Sequence, residues 1–148
     1  MRISAKGRYA MAALISMAQQ YNNGENITVI SISEKLGISK IYLEQVFSLL
    51  KKAEIVSSEK GAQGGYQLTR PPSQITALDV LEAVETSLFD QAQETVSKKA
   101  PDIEETLRLS VFNLLDKNIR QTLSTITIED LVKETEKHKE NNAIMFYI

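Results

Sequence analysis

With 148 residues and a formal net charge of −2, the chain has the length of one domain and can bury a core without covalent staples. It contains no cysteine, which excludes disulfides, thiolate metal sites and cysteine-ligated iron–sulfur clusters. No apolar run approaches the ~18 residues of a membrane span, and the basic N-terminus continues into a helical pattern. We therefore expect a cytoplasmic protein with no membrane partner and no cofactor.

The charge is distributed unevenly along the chain. Residues 1–80 carry nine Lys/Arg against six Asp/Glu, a net of +3, whereas residues 81–148 carry eight against thirteen, a net of −5. A polyanionic partner would bind the positive half. The asymmetry therefore favours nucleic-acid binding by the first half and a different role for the second.

Three helices are predicted before the first β-prone stretch. The first begins after the capping residue Ser4, the second covers 29–36 and ends at Gly37, and the third covers 40–53 after the cap Ser39. Two helices joined by "GIS" form the helix-turn-helix pattern. An ordinary helical corner has the same spacing, so this pattern alone leaves both interpretations open.

The next segment favours a winged helix. Two β-prone stretches, 55–58 and 66–69, flank the glycine-rich "GAQGG" and predict a hairpin. A phosphate-binding loop is excluded because Tyr66 and a strand, rather than Lys-Ser/Thr and a helix, follow the last glycine. The expected fold is mostly α, with the third helix in the major groove of double-stranded DNA and the hairpin on the adjacent backbone.

The second half predicts three further helices. Thr76 and Asp79 form a capping pattern for a helix over 77–85, and a long helix runs from Pro101 to about residue 123. "TIED" opens a last helix over 128–137, which "KHKENN" ends. The expected organisation is a DNA-binding domain in 1–85, a linker loop in 86–101, and a dimerisation helix with a C-terminal helix and tail in 102–148.

The long helix has an apolar face broader than its own domain would cover. This breadth predicts packing against a second copy, although a wholly intramolecular core helix is the alternative. A homodimer would place two recognition helices roughly 34 Å apart, which predicts a palindromic operator. The predicted dimerisation residues are Ile103, Leu107, Val111, Leu114, Leu115 and Ile119.

Three stretches resemble the Rrf-two family of bacterial transcription regulators: "MRISAKGRYAMAAL", "SKIYLEQVFSLLKKAEIVSSEKGAQGGYQLTRPPSQITALDVLEAVE" and the closing "MFYI". The resemblance implies a winged-helix homodimer that represses transcription. Several members are iron–sulfur sensors with cysteines in the loop after the "ITALDVLEAVE" helix. Here that loop has none, so we reject cluster sensing. The ending is similar to members that control cysteine metabolism, which implies cysteine synthase as a corepressor.

The candidate DNA contacts lie at the leading end of the third helix, at the start of the first helix and in the hairpin. Glu44 can accept from the amino group of cytosine; alternatively it is a surface partner of Lys40. Positive charge near the first helix N-terminus opposes the helix dipole, and a bound phosphate would relieve this. The predicted contacts are Lys6, Arg8, Ser39, Lys40, Ile41, Tyr42, Glu44, Gln45, Lys60, Gly61 and Gln63.

The apolar ending "AIMFYI" must dock or bind something. Met145, Phe146, Tyr147 and Ile148 either pack on the dimer or dock a partner, such as the active site of cysteine synthase. The chain has one histidine and none of the nucleophile or phosphate-loop motifs, so we expect no enzyme activity. The alternatives are a winged helix that binds proteins and has no operator, or a regulator of another pathway in the same family.

Overall fold

The computed structural model describes residues 2–24, 26–59 and 64–146. Residues 101–124 form one continuous helix, which we call the long helix. A π-helical turn at Arg108–Phe112 lies within it and separates two α-helical segments. Short 3₁₀ turns cover Tyr21–Asn23 and Pro72–Gln74. The helices are α1 (Ala5–Ala18), α2 (Val29–Leu36), α3 (Lys40–Lys52), α4 (Ala77–Val84), α5 (Pro101–Leu107), α6 (Asn113–Ser124) and α7 (Ile128–Phe146), and the strands are β1 (Val56–Glu59) and β2 (Gly65–Leu68).

The core lies where α1, α3 and α4 meet. Ala10 and Ala13 of α1 are fully buried, and their small side chains let the neighbouring helices approach. Phe47 of α3 and Val80 of α4 fill the space between the helices. Ile128, the first residue of α7, is buried in the same core, so the last helix begins on the winged-helix body.

Helices α4 and α7 each begin with a capping box, and a backbone bridge pairs the two starts. Thr76 Oγ1 accepts from the Asp79 amide at 3.1 Å, and the Asp79 carboxylate accepts from the Thr76 amide at 2.9 Å. Thr127 and Asp130 repeat this arrangement at 3.0 and 3.1 Å. The backbone hydrogen bond from the Thr127 amide lowers the pKa of the Asp130 carboxyl. An antiparallel bridge pairs Thr76 with Thr127, which anchors α7 beside α4.

The predicted end of α7 is wrong. The helix continues through "KHKENN" to Phe146 rather than ending near Lys137. Asn141 and Asn142 each lower helix propensity by well under about 1 kcal/mol, and the segment has no Gly or Pro to stop it. Surface pairs one turn apart, such as Lys139 with Glu136, also support the helix. Among the described residues, none of the helices combines the length and hydrophobicity that crossing a bilayer requires.

Candidate DNA interface

The turn between α2 and α3 changes the direction of the chain sharply. Gly37 caps α2 in the left-handed conformation, with φ of 68°. Its amide donates to the Ser33 carbonyl at 2.9 Å, and the Ser33 hydroxyl donates to the Ile38 carbonyl at 2.6 Å. Ser39 then opens α3, its hydroxyl oxygen accepting from the Tyr42 amide. These bonds set the angle at which α3 leaves the body.

The two faces of α3 differ sharply in burial. Leu43, Val46, Phe47 and Leu50 are completely buried. The first two turns on the other side are open to solvent, and Ile41 is 71% exposed. The leading end of α3 is therefore presented outward, as the sequence predicts. The exposed residues on this side include Ser39, Lys40, Ile41, Glu44 and Gln45.

Lys40 and Glu44 form an ion pair on this exposed side. Lys40 Nζ lies 3.7 Å from Glu44 Oε1, and the two side chains are 53% and 55% exposed. Water therefore screens the ion pair, and either group can exchange it for another partner at little cost. The pair presents a donor and an acceptor one helical turn apart. Such groups can read guanine and cytosine in the major groove, and the exposed Ile41 can contact a thymine methyl group.

Tyr42 has a different environment from its neighbours. Its ring packs edge-to-face on Tyr9 of α1, with centroids 5.0 Å apart, and both rings belong to the margin of the core. This contact places the start of α1, with Arg8 exposed and Lys6 half-buried, beside the leading end of α3. Nothing in the sequence pattern identified Tyr9 as the residue that joins the two groups of candidate contacts.

The wing is an antiparallel hairpin in which Val56 pairs with Leu68 and Glu59 with Gly65. On the other side of β2, Ile27 forms an isolated antiparallel bridge with Tyr66, and the two residues exchange backbone hydrogen bonds of 3.0 and 2.8 Å. A Cβ on Gly65 would lie 2.7 Å from the Ile27 carbonyl oxygen, which explains the glycine before Tyr66. The predicted contacts Lys60, Gly61 and Gln63 lie outside the described residues.

The comparisons with known proteins agree with this architecture. The Rrf2 (Rrf-two) family model, described as an iron-dependent transcriptional regulator, matches residues 3–134. The chain belongs to the Rrf2 family.

Two relatives of this Rrf2 protein are regulators. The chain is 32% identical to the HTH-type transcriptional regulator CymR of Bacillus subtilis over 148 residues, covering all of both chains. It is 36% identical to IscR of Xenorhabdus nematophila over 136 residues, 92% of this chain and 82% of the relative. The solved structure of B. subtilis CymR matches with a TM-score of 0.72 at 30% identity, covering 90% of this chain and 98% of that one. This Rrf2 protein is a DNA-binding transcriptional regulator, not an enzyme.

The family description raises the question of iron, and the donor groups of this Rrf2 chain do not fit a thiolate-ligated cluster. The chain has no cysteine, and the segment 86–100 offers only Asp90 and Glu94 as anionic ligands. Glu94 accepts a hydrogen bond from Ser97. Within the described ranges, no three His, Asp or Glu side chains are grouped to hold a metal ion. The segment is instead held by hydrogen bonds from the Thr95 and Val96 amides to Glu104 of α5.

A second surface of this Rrf2 protein is apolar and open. The long helix exposes large side chains along most of its length, with Ile103 58% and Leu115 56% exposed. The predicted dimerisation residues Leu107 and Ile119 are half-buried on the same helix. An apolar surface of this length is unusual for a monomer. The exposed apolar residues of the long helix are Ile103, Leu109, Val111, Phe112, Leu114 and Leu115.

Proposed function

We propose that this Rrf2 regulator is a homodimeric repressor that reads a palindromic operator through α3 and the wing and controls genes of cysteine and sulfur metabolism. The observation that carries the proposal is the exposure of the leading end of α3. Four fully buried residues hold the helix from behind while Lys40, Ile41 and Glu44 face solvent. This is the arrangement by which a helix-turn-helix enters the major groove.

The apolar face of the long helix supports the dimer. Six large apolar residues, from Ile103 to Leu115, would leave water if two copies packed along this face. Removing apolar area from water contributes about 25 cal/mol for each Å², which offsets the entropy lost when two copies associate. A two-fold axis would then relate the two α3 helices, and the operator would carry the same symmetry.

The assignment to cysteine metabolism is supported by one relative. The solved CymR structure is named as the global cysteine regulator of B. subtilis, and CymR aligns over the whole of this chain. The lack of cysteine ligands further separates this chain from cluster-dependent regulation.

The end of α7 supports the proposed partner, cysteine synthase. Ile144 and Met145 are 58% and 75% exposed at the end of a helix whose last turns are open to solvent. The side chain of Phe146, together with Tyr147 and Ile148, lies outside the described residues. An exposed apolar peptide of this kind can enter a partner's cleft. Deleting residues 145–148 should abolish synthase binding in a pull-down and leave operator binding intact; unchanged synthase binding would remove this part of the proposal.

Operator binding is tested by selection from random duplexes, followed by gel shifts at two salt concentrations. We expect one enriched palindrome and a steep loss of affinity as salt rises, because phosphate contacts release counterions. Mapping the promoters that the protein occupies in cells grown with and without abundant cysteine then identifies the regulated genes. A protein that selects no sequence at low salt would instead be a protein-binding winged helix.

A further inference from the structure

The residue that caps the C-terminus of α4 contacts the start of the neighbouring helix α1. Glu85, the C-cap of α4, accepts two hydrogen bonds at a single carboxylate oxygen, Oε1. One comes from the Ser4 amide at 2.9 Å and the other from the Ser4 hydroxyl at 2.8 Å. The same hydroxyl oxygen accepts from the Gly7 amide at 3.2 Å and so caps α1. Glu85 therefore holds the residue that starts α1.

Gly7 makes this approach possible. It is a buried helical glycine, and a Cβ added there would overlap Glu85 Oε1 and lie 2.8 Å from Ile3 Cγ2. Glycine inside a helix is less favourable than alanine by about 1 kcal/mol, so its use here has a local reason. Any larger residue at position 7 would push the Glu85 carboxylate away from Ser4.

The charge of Glu85 also suits its position. The first turn of α1 contains Lys6 and Arg8 and no acidic residue, so its own charges oppose the helix dipole. The carboxylate of Glu85 supplies the missing negative charge at this N-terminus. Tyr9 follows directly and packs on Tyr42 of α3. The two hydrogen bonds that Ser4 donates to Glu85 therefore fix a helix start that lies against the leading end of α3.

We infer that Glu85 is a positioning residue for DNA binding: it orients the first turn of α1 so that Lys6 and Arg8 meet the phosphates beside the groove that α3 enters. The inference rests on the proposed function. The expected change in DNA affinity is opposite in sign to the one that simple electrostatics predicts. Removing an acid near a polyanion ordinarily tightens binding, whereas removing this acid should weaken it.

The test measures binding of the selected operator by fluorescence anisotropy across a range of salt concentrations. Glu85→Gln removes the charge, and Gly7→Ala displaces the carboxylate without changing the charge of the protein. Both should weaken binding by about three- to tenfold. Both should also reduce the slope of log affinity against log salt concentration by about one, as expected when a phosphate contact is lost. The matched control is Glu82→Gln, one turn earlier on α4, whose carboxylate pairs with Arg120. It should stay within about twofold of the wild type.

Three further measurements separate positioning from general destabilisation. In a Lys6→Ala background, the effect of Glu85→Gln should shrink, because the two changes act on the same contact. Amide hydrogen exchange over residues 2–10 of the free protein should be faster in Glu85→Gln and Gly7→Ala and unchanged in Glu82→Gln. Thermal unfolding shows whether each variant is folded.

The outcomes are distinguishable from those for the proposed function. A wild-type protein that binds no duplex would overturn the proposed function and this role of Glu85 together. Wild-type binding that is matched or exceeded by Glu85→Gln would overturn only the role of Glu85. An equal loss of affinity with and without Lys6 would overturn it as well.

Discussion

At the scale of single residues, Glu44 has two uses that do not exclude each other. Its pair with Lys40 is more than half exposed on both sides, and such helical pairs contribute only about 0.3–0.5 kcal/mol. Releasing the carboxylate to accept from a cytosine amino group therefore costs little. A change at Glu44 should alter sequence preference far more than stability.

We predict that Glu44→Ala relaxes discrimination at one base pair in each half-site by about 1–3 kcal/mol. Affinities for a panel of operators with single base-pair changes would measure this. Lys6→Ala is the contrasting variant, because loss of a phosphate contact should weaken binding to all operators alike. An unchanged ranking of the panel for Glu44→Ala would assign Glu44 to the surface pair alone.

Asp79 offers a pH-dependent test of the fold. Burial acts to raise the pKa of its carboxyl, but hydrogen bonds from the Thr76 backbone and hydroxyl, together with Arg70, outweigh burial and lower the pKa below its ordinary value. A carboxylate with a lowered pKa in the folded state adds stability at pH values above its ordinary pKa. That stability is lost as the pH falls through the lowered value.

We therefore predict that Asp79→Asn lowers the free energy of unfolding by about 0.5–1 kcal/mol at pH 7, the range for a cap with a surface ion pair. The deficit should shrink below about pH 4. Urea denaturation of both proteins at several pH values and one protein concentration would measure this difference in the free energy of unfolding. Glu34→Gln, which removes an exposed carboxylate from α2, is the control. A deficit of equal size at every pH would contradict the assigned role of the Asp79 charge.

At the scale of elements, the starts of helices were easier to predict than their ends. The sequence predicts Ser4, Ser39 and Thr76 as caps, and each accepts a backbone hydrogen bond from the first turn of its helix. Capping is local chemistry that a few adjacent residues determine. The predicted end of α7 is wrong because a polar, charged segment is compatible with either the end or the continuation of a helix. Weak ion pairs one turn apart determine which of the two occurs.

Contacts distant in sequence were beyond prediction. The buried stripe of α3 is periodic, so its outward face could be derived from the chain alone. The bridge between Ile27 and Tyr66 joins residues 39 positions apart, and the two hydrogen bonds from Ser4 to Glu85 join residues 81 positions apart. No local pattern encodes such pairs. The π-helical turn in the long helix was also missed, since apolar residues four apart fit both an α-helix with a drifting stripe and a locally wider turn.

The exposed face of the long helix gives a prediction for this element. Leu115→Glu should break the dimer, because a carboxylate would be buried without a partner in an apolar interface. Sedimentation velocity should show monomers at concentrations where the wild type is dimeric, with weaker operator binding. Thr106→Glu adds the same charge at an exposed polar position of the same helix and should leave the dimer intact. A dimeric Leu115→Glu protein would place the interface elsewhere.

At the scale of the whole molecule, the net charge of −2 is a poor guide to binding. The positive first half contains α1, α3 and the wing, and the negative second half contains the long helix and α7. In the proposed dimer, the two positive parts face one side of the duplex. Local charge at the interface, rather than net charge, determines affinity for DNA.

The dimer also predicts how affinity depends on operator spacing. Two α3 helices related by a two-fold axis reach half-sites about one helical turn apart, roughly 34 Å. Inserting about five base pairs between the half-sites turns the second half-site to the opposite side of the duplex. The affinity should then fall to that of a single half-site. An operator with the same number of base pairs replaced rather than inserted is the control, because its half-sites keep their relative orientation. Equal affinity for the native and lengthened operators, measured by gel shift, would mean that each copy binds independently and that the long helix does not hold the two α3 helices in register.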